Sequence, residues 1–284
     1  MRPANAPEAR TVNPNDCREP MTAVSFGDVT LEVGDDHVGM VEIHRPPNNF
    51  FDVTLIRSIA DAYDAADADD GCRALVLCSE GRHFCAGADF SGGSRATPVA
   101  TSGASGAREL YAEAVRLFEA KTPVVAAVQG AAIGGGLGVA CSADFRVGSD
   151  ASRFAANFAR LGFHHGFGLT VTLPPLVGQQ RALELLYTGR RVGGVEAAQV
   201  GLLDLLVEPD VLRDEARAFA ADIALSAPLA VRSIRETMRG DLAERVRAAT
   251  AREDAEQAWL RKTEDWVEGV RASAERREPR FEGR

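Results

Sequence analysis

The chain has 284 residues, 45% of them hydrophobic, and a net charge of −9. That length can bury one large core, or a core with a subdomain, and the acidic balance argues against broad binding to nucleic acid or to an anionic membrane surface. Five cysteines, with no Cys-x-x-Cys pair, predict no disulfide framework, no zinc site and a reducing, cytoplasmic setting. No apolar run reaches the ~18 residues of a membrane span. Residues 1–22 are polar and proline-containing and read as a disordered tail.

In chain order, Val24–Glu32 and His37–His44 read as two strands joined at Gly34-Asp35-Asp36. Phe51–Ala68 has helical spacing, with Leu55, Ile59 and Tyr63 on one face, and Ala74–Cys78 is a short apolar strand. Strand, helix and strand predict a parallel pair with a crossover helix. Ser91–Gly106 is rich in Gly, Ser, Ala and Thr and reads as a mobile loop. Ala107–Ala120 reads as a helix, Val124–Val128 as a buried strand and Asp144–Gly148 as another short strand. Ser152–Gly168 reads as irregular, and Leu169–Thr188 as a helix that Pro174-Pro175 must open or break. A short helix (Val195–Val200), a strand (Leu202–Val207) and helices over Asp210–Ser226 and Pro228–Arg239 follow. Leu242–Ala274 reads as one long amphipathic helical stretch with Trp259 and Trp266, either an oligomer contact or packed on its own core. The domain division expected is a core over 23–209 and a helical region over 210–284.

The segment that organises the chain is Val124–Cys141. A buried strand runs into Gly134-Gly135-Gly136 and then into an apolar helix. The first N–H groups of a helix lack intrahelical partners and favour negative charge, and glycine lets a ligand oxygen approach the main chain. The turn is either an oxyanion site or a tight packing turn. It completes neither a dinucleotide fingerprint nor a phosphate loop, because Val139 breaks the first pattern and no Lys-Ser/Thr follows for the second.

Four segments resemble the enoyl-CoA hydratase/isomerase (crotonase) superfamily. They are Arg82-His-Phe-Cys-Ala-Gly-Ala-Asp-Phe90, Lys121–Gly136, Thr188-Gly-Arg with Glu196–Leu202, and the basic-aromatic end Arg276–Gly283. The resemblance implies an α/β fold, a crotonase-like spiral of repeated ββα units with a helical C-terminal oligomerisation region. It implies a homotrimer or a dimer of trimers and an acyl-CoA thioester substrate, with CoA as part of the substrate and no separate cofactor or metal. The oxyanion donors it implies are the backbone N–H groups of Ala88 and Gly135, and the CoA contacts Asp89, Phe90 and Arg276. Arg45 and Arg82 are weaker phosphate partners.

The chain departs from that pattern where family hydratases carry two glutamates. Those positions are Gly138 and Phe158, and neither residue transfers a proton. The turn after Gly162 brings His164-His165, with His165 the pocket-facing choice for an acid/base. The competing reading is a backbone-bonded turn with one histidine exposed. Glu109 and Glu113 read first as a solvated helix face. The expected function is an atypical acyl-CoA lyase or isomerase; the alternative is a non-catalytic acyl-CoA binder.

Overall fold

Three antiparallel strands start the main sheet: β1 (Val24–Phe26), β2 (Val29–Val33) and β3 (Val38–Ile43). The structure is a computed structural model and describes residues 23–90 and 103–284; the expected tail and most of the Ser91–Gly106 loop lie outside them. The expected first strand is two, because Gly27 turns the chain with φ +59°. Helix α1 (Val53–Ala68) crosses from β3 to β4 (Ala74–Ser79), and the two strands pair in parallel. Asp52 caps α1 by accepting from the Leu55 N–H at 2.9 Å, and the helix buries Leu55, Ile56, Ile59 and Tyr63. Every residue of β4 is buried, as expected of a strand covered on both faces.

Helix α2 (Gly103–Glu119) leads to β5 (Val124–Val128), then β6 (Ala131–Ile133), α3 (Gly135–Ser142), β7 (Phe145–Ser149) and β8 (Arg153–Ala155). Next come α4 (Leu169–Val177), α5 (Gln179–Thr188), β9 (Arg191–Gly193), α6 (Gly194–Gln199) and β10 (Leu205–Val207). The main sheet has the order β1-β2-β3-β4-β5-β7-β10, and β6, β8 and β9 form a second sheet. The expected Leu169–Thr188 helix breaks at Gly178 (φ +79°), not at the prolines, which lie inside α4. Region 152–168, expected to be irregular, contains β8 and a 3-10 turn at Ala159–Leu161.

The C-terminal region is helical: α7 (Leu212–Ala224), α8 (Pro228–Arg239), α9 (Leu242–Leu260) and α10 (Glu264–Glu275). The long stretch expected over Leu242–Ala274 is two helices. The first ends at Leu260 with Arg261 as its C-cap, and Thr263 caps the second by accepting from the Trp266 N–H at 3.1 Å. Trp266 is buried and Trp259 exposed. Helix α9 packs along α2 and α4. Helix α8 docks by charge: Arg235 and Arg239 each reach Asp144 at 2.9 Å, while Leu229, Ile234 and Met238 stay exposed. No helix among the described residues is long and apolar enough to cross a membrane.

Candidate active site

Two strand ends are stitched together by main chain. The Cys85 N–H donates to the Ala131 carbonyl at 2.9 Å, and the Ile133 N–H to the Cys85 carbonyl at 3.0 Å. This bridge sets the segment after β4 beside β6. Gly87, at φ +94°, passes so close to β6 that a Cβ there would lie 2.9 Å from the Ile133 carbonyl oxygen. On the other arm, Gly134 (φ +58°) caps α3 with no side-chain hydrogen bond. A Cβ at Gly135 would lie 2.2 Å from the Phe51 ring, and one at Gly136 only 2.1 Å from the Cys85 carbonyl oxygen. Close approach therefore demands glycine at 87, 135 and 136, and the positive φ favours it at 134.

Ala88 and Gly135 line one cleft of about 280 Å³. Among the described residues, neither of their backbone N–H groups has a protein acceptor. The rest of the wall is largely aromatic, from Phe50, Phe51, Phe90, Phe158, Phe163 and Phe167. Phe158 and Phe163 meet edge to face at 5.4 Å, and Phe51 and Phe167 at 5.8 Å. Such pairs fix ring orientation beyond simple burial. Two residues past the glycine triplet, a Cβ on Gly138 would lie 2.5 Å from the Phe167 Cβ. The Phe167 ring occupies the space that a longer side chain at 138 would need.

The histidines stand elsewhere. Neither His164 nor His165 is among the described lining residues. His164 Nδ1 bonds the His165 carbonyl at 2.8 Å, and His165 Nε2 bonds the Thr170 hydroxyl at 2.8 Å. Burial, with His164 close by, pushes the His165 pKa down to about 4, so the ring is neutral near pH 7. Its 3.8 Å approach to Glu253 is thus not an ion pair at that pH. Glu253 is itself buried. It accepts from the Gly168 and Thr170 N–H groups and the Thr170 hydroxyl, which anchors α9 to the start of α4. The pocket-facing expectation for His165 is corrected by this placement: the turn aims the ring at α4 and α9.

The other expected residues divide. Asp89 is buried and, like Phe90, lines the cleft; Phe90 packs edge-on against Trp266 at 5.6 Å. Arg276 is exposed at the end of α10 and outside the described lining, next to the wall residues Ser273 and Ala274. Arg45 is committed to structure through Asp28 at 2.6 Å and Asp52 at 2.9 Å. Glu109 and Glu113 pair with Arg57, and Glu113 also with Arg116. Burial raises the Glu113 carboxyl, but the two arginines outweigh it and hold it below the usual range. His83 accepts from the Ala131 N–H at 3.2 Å and supports β6.

Sequence reasoning missed one polar corner of the wall: Tyr111 on α2, with Gln257 and Arg261 at the end of α9. Gln257 and Arg261 sit one turn apart, and Arg261 Nη2 donates to Gln257 Oε1 at 2.8 Å. The only sequence signal was this i,i+4 spacing, which does not say which wall the helix meets.

A spiral of strand-turn-helix units with paired main-chain donors over an apolar cleft defines a crotonase fold. The family model for enoyl-CoA hydratase/isomerase matches residues 34–284, and the chain belongs to that family. A solved enoyl-CoA hydratase/isomerase from Pseudoalteromonas atlantica T6c superposes with a TM-score of 0.78 at 30% identity, covering 90% of this chain and 100% of that one. Carnitinyl-CoA dehydratase of Proteus mirabilis is 33% identical over 257 residues, 85% of this chain and 94% of that protein. (E)-benzylidenesuccinyl-CoA hydratase of Thauera aromatica is 31% identical over 268 residues, 90% and 99% of the two chains.

Proposed function

We propose that the protein binds an acyl-CoA thioester with the carbonyl oxygen between the Ala88 and Gly135 N–H groups and stabilises the thioester enolate there, as a lyase or isomerase. The observation that carries this is the pair of main-chain donors, without protein acceptors, on one aromatic cleft. An enolate places negative charge on that oxygen, and each preorganised donor contributes ~3–4 kcal/mol to the transition state. The names of both relatives above contain a CoA thioester, which supports the substrate class.

The reaction departs from two-glutamate hydration. By resemblance to family hydratases, the two carboxylates belong at 138 and 158, where this chain has glycine and a buried phenylalanine. Tyr111 remains as a proton-bearing group on the wall, and its burial raises the hydroxyl pKa well above the usual 10. It therefore donates rather than abstracts near pH 7. The absence of a carboxylate at 138 and 158 also favours a second reading, a non-catalytic acyl-CoA binder. We further propose self-association into trimers, with the exposed apolar residues of α8 as one contact; light scattering of the purified chain tests it.

The deciding experiment measures butyryl-CoA binding, crotonyl-CoA hydration and turnover over an acyl-CoA panel. Expected are thioester binding that Gly135→Val abolishes, turnover of some panel member, and crotonyl-CoA hydration at least ~10²-fold below a two-glutamate enzyme. Hydration at full rate overturns the proposed departure. Binding without turnover of any panel member selects the second reading.

A further inference from the structure

We infer that the cleft takes an acyl group with a flat apolar body and a carboxylate at its far end, held by Arg261 together with Gln257 and Tyr111. This rests on the acyl-CoA reading and specifies its substrate class.

Arg261 is a cation without a counterion. It makes no ion pair with any described residue; Asp254 acts on it electrostatically but forms no bridge. One edge of the guanidinium donates to Gln257 at 2.8 Å, while Nε is buried with no hydrogen-bond partner. A buried charged donor left unpaired is costly, and an incoming carboxylate relieves it. The guanidinium also lies 5.7 Å from the Phe163 ring centroid, in a position to stack on it.

The corner around Arg261 is held in place. Gln257 is buried, and its amide donates to the His164 carbonyl at 3.0 Å, which leaves its oxygen for Arg261. The Tyr111 hydroxyl hydrogen-bonds Gln257. It fits only because residue 166 is glycine, where a Cβ would lie 2.2 Å from the hydroxyl oxygen. A planar acceptor matches such a fork of donors better than a methyl group does.

The spacing supplies the shape. The Phe158 ring would lie 3.7 Å from a Cβ on Gly134, Phe163 packs on Phe158 at 5.4 Å, and Arg261 lies over Phe163 at 5.7 Å. Two successive ring contacts thus link the glycine turn to the cation along one aromatic row. An aryl-acyl group with a remote carboxylate spans that run.

The test compares para-carboxycinnamoyl-CoA with cinnamoyl-CoA, and both with CoA alone, by calorimetry on the full chain at neutral pH. Expected is ~10- to 100-fold tighter binding of the carboxylated thioester, the range of one charge-assisted bond. Arg261→Gln brings that ratio to about one, and Arg261→Lys keeps part of it. Equal binding by the unmodified protein overturns the inference without needing any variant. So does a ratio that survives Arg261→Gln. Equal weakening of CoA alone by Arg261→Gln assigns the cation to a CoA phosphate instead, which also overturns it. Failure of both thioesters to bind removes the acyl-CoA reading along with it.

Discussion

Two walls meet at the cleft, and they are made in opposite ways. The wall from β4, β5 and β6 works through main chain: Gly87, Gly135 and Gly136 approach their neighbours so closely that a single added carbon collides with backbone or a ring. The wall from α9 works through side chains, with Glu253 anchoring the helix and Gln257 and Arg261 reaching the cavity. The first wall tolerates little change because its donors are backbone atoms placed by packing. The second can change its side chains while the helix stays put. Under the proposed function, placement of the thioester oxygen is thereby separated from recognition of the acyl group.

The sharpest way to break the contrast is Phe167→Ala. It should cost ~3–5 kcal/mol in urea unfolding, since the ring is buried against Phe51 and Gly138. Gly138→Ala alone should cost ~1–3 kcal/mol by overpacking, and the double substitution should be less damaging than the sum of the singles. An additive result would mean that Phe167 does not fill the space beside 138. Next, Gly136→Ala should cost ~1–3 kcal/mol and weaken thioester binding, because the Cys85 carbonyl has little freedom to retreat. Retained stability and binding would show that the main-chain wall is softer than its contacts suggest.

A third prediction concerns pH. The His165 pKa in the folded protein is about 4, below its ordinary 6.5, because of burial and the neighbouring His164. The unfolded chain therefore takes up the proton first. The stability linked to neutral His165 is complete above pH 6.5 and declines as pH falls toward 4. By pH 5 the loss is ~2 kcal/mol, and His165→Asn should flatten that part of the melting profile. Glu253, raised by burial, acts in the opposite sense as it protonates, and comparison with His165→Asn isolates the histidine's share of the slope. An unchanged slope in the variant would reject a buried neutral His165. The smallest stability effect belongs to the side-chain wall. Arg261→Gln should move unfolding by less than about 1 kcal/mol, because the lost bond is offset by removal of an unpaired buried donor. A large destabilisation would make Arg261 a structural cation.

Much of the fold was legible locally. The apolar run Val124–Val128, the helical spacing of Leu55, Ile59 and Tyr63, and the turn at Gly34–Asp36 all correspond to observed elements. Short strands such as β6 and β8 were not, since three residues carry too little periodicity to read. Pro174-Pro175 drew the expected break away from Gly178, whose left-handed backbone decides it. At the site, the Gly134–Gly136 turn stood out because close approach leaves a mark in glycine motifs, while Ala88 and Gly135 were singled out by resemblance to the family. The histidine pair was misleading because adjacent polar residues in a turn show nothing of which way each ring points.

What the sequence by itself determined is the family, the motif pair that brings two backbone donors together, and the absence of a carboxylate at 138 and 158. Those depend on residue identity next to a recognisable motif. What only the tertiary structure decided is where the side chains of distant segments meet. Residue 257 joins 111 and 164, residue 253 joins 168 and 170, and Phe167 fills the space beside 138. These contacts span many tens of residues, and no local period encodes them. Packing of α9 across α2 and α4 brings the first two sets together, and that packing sets the side-chain wall of the cleft.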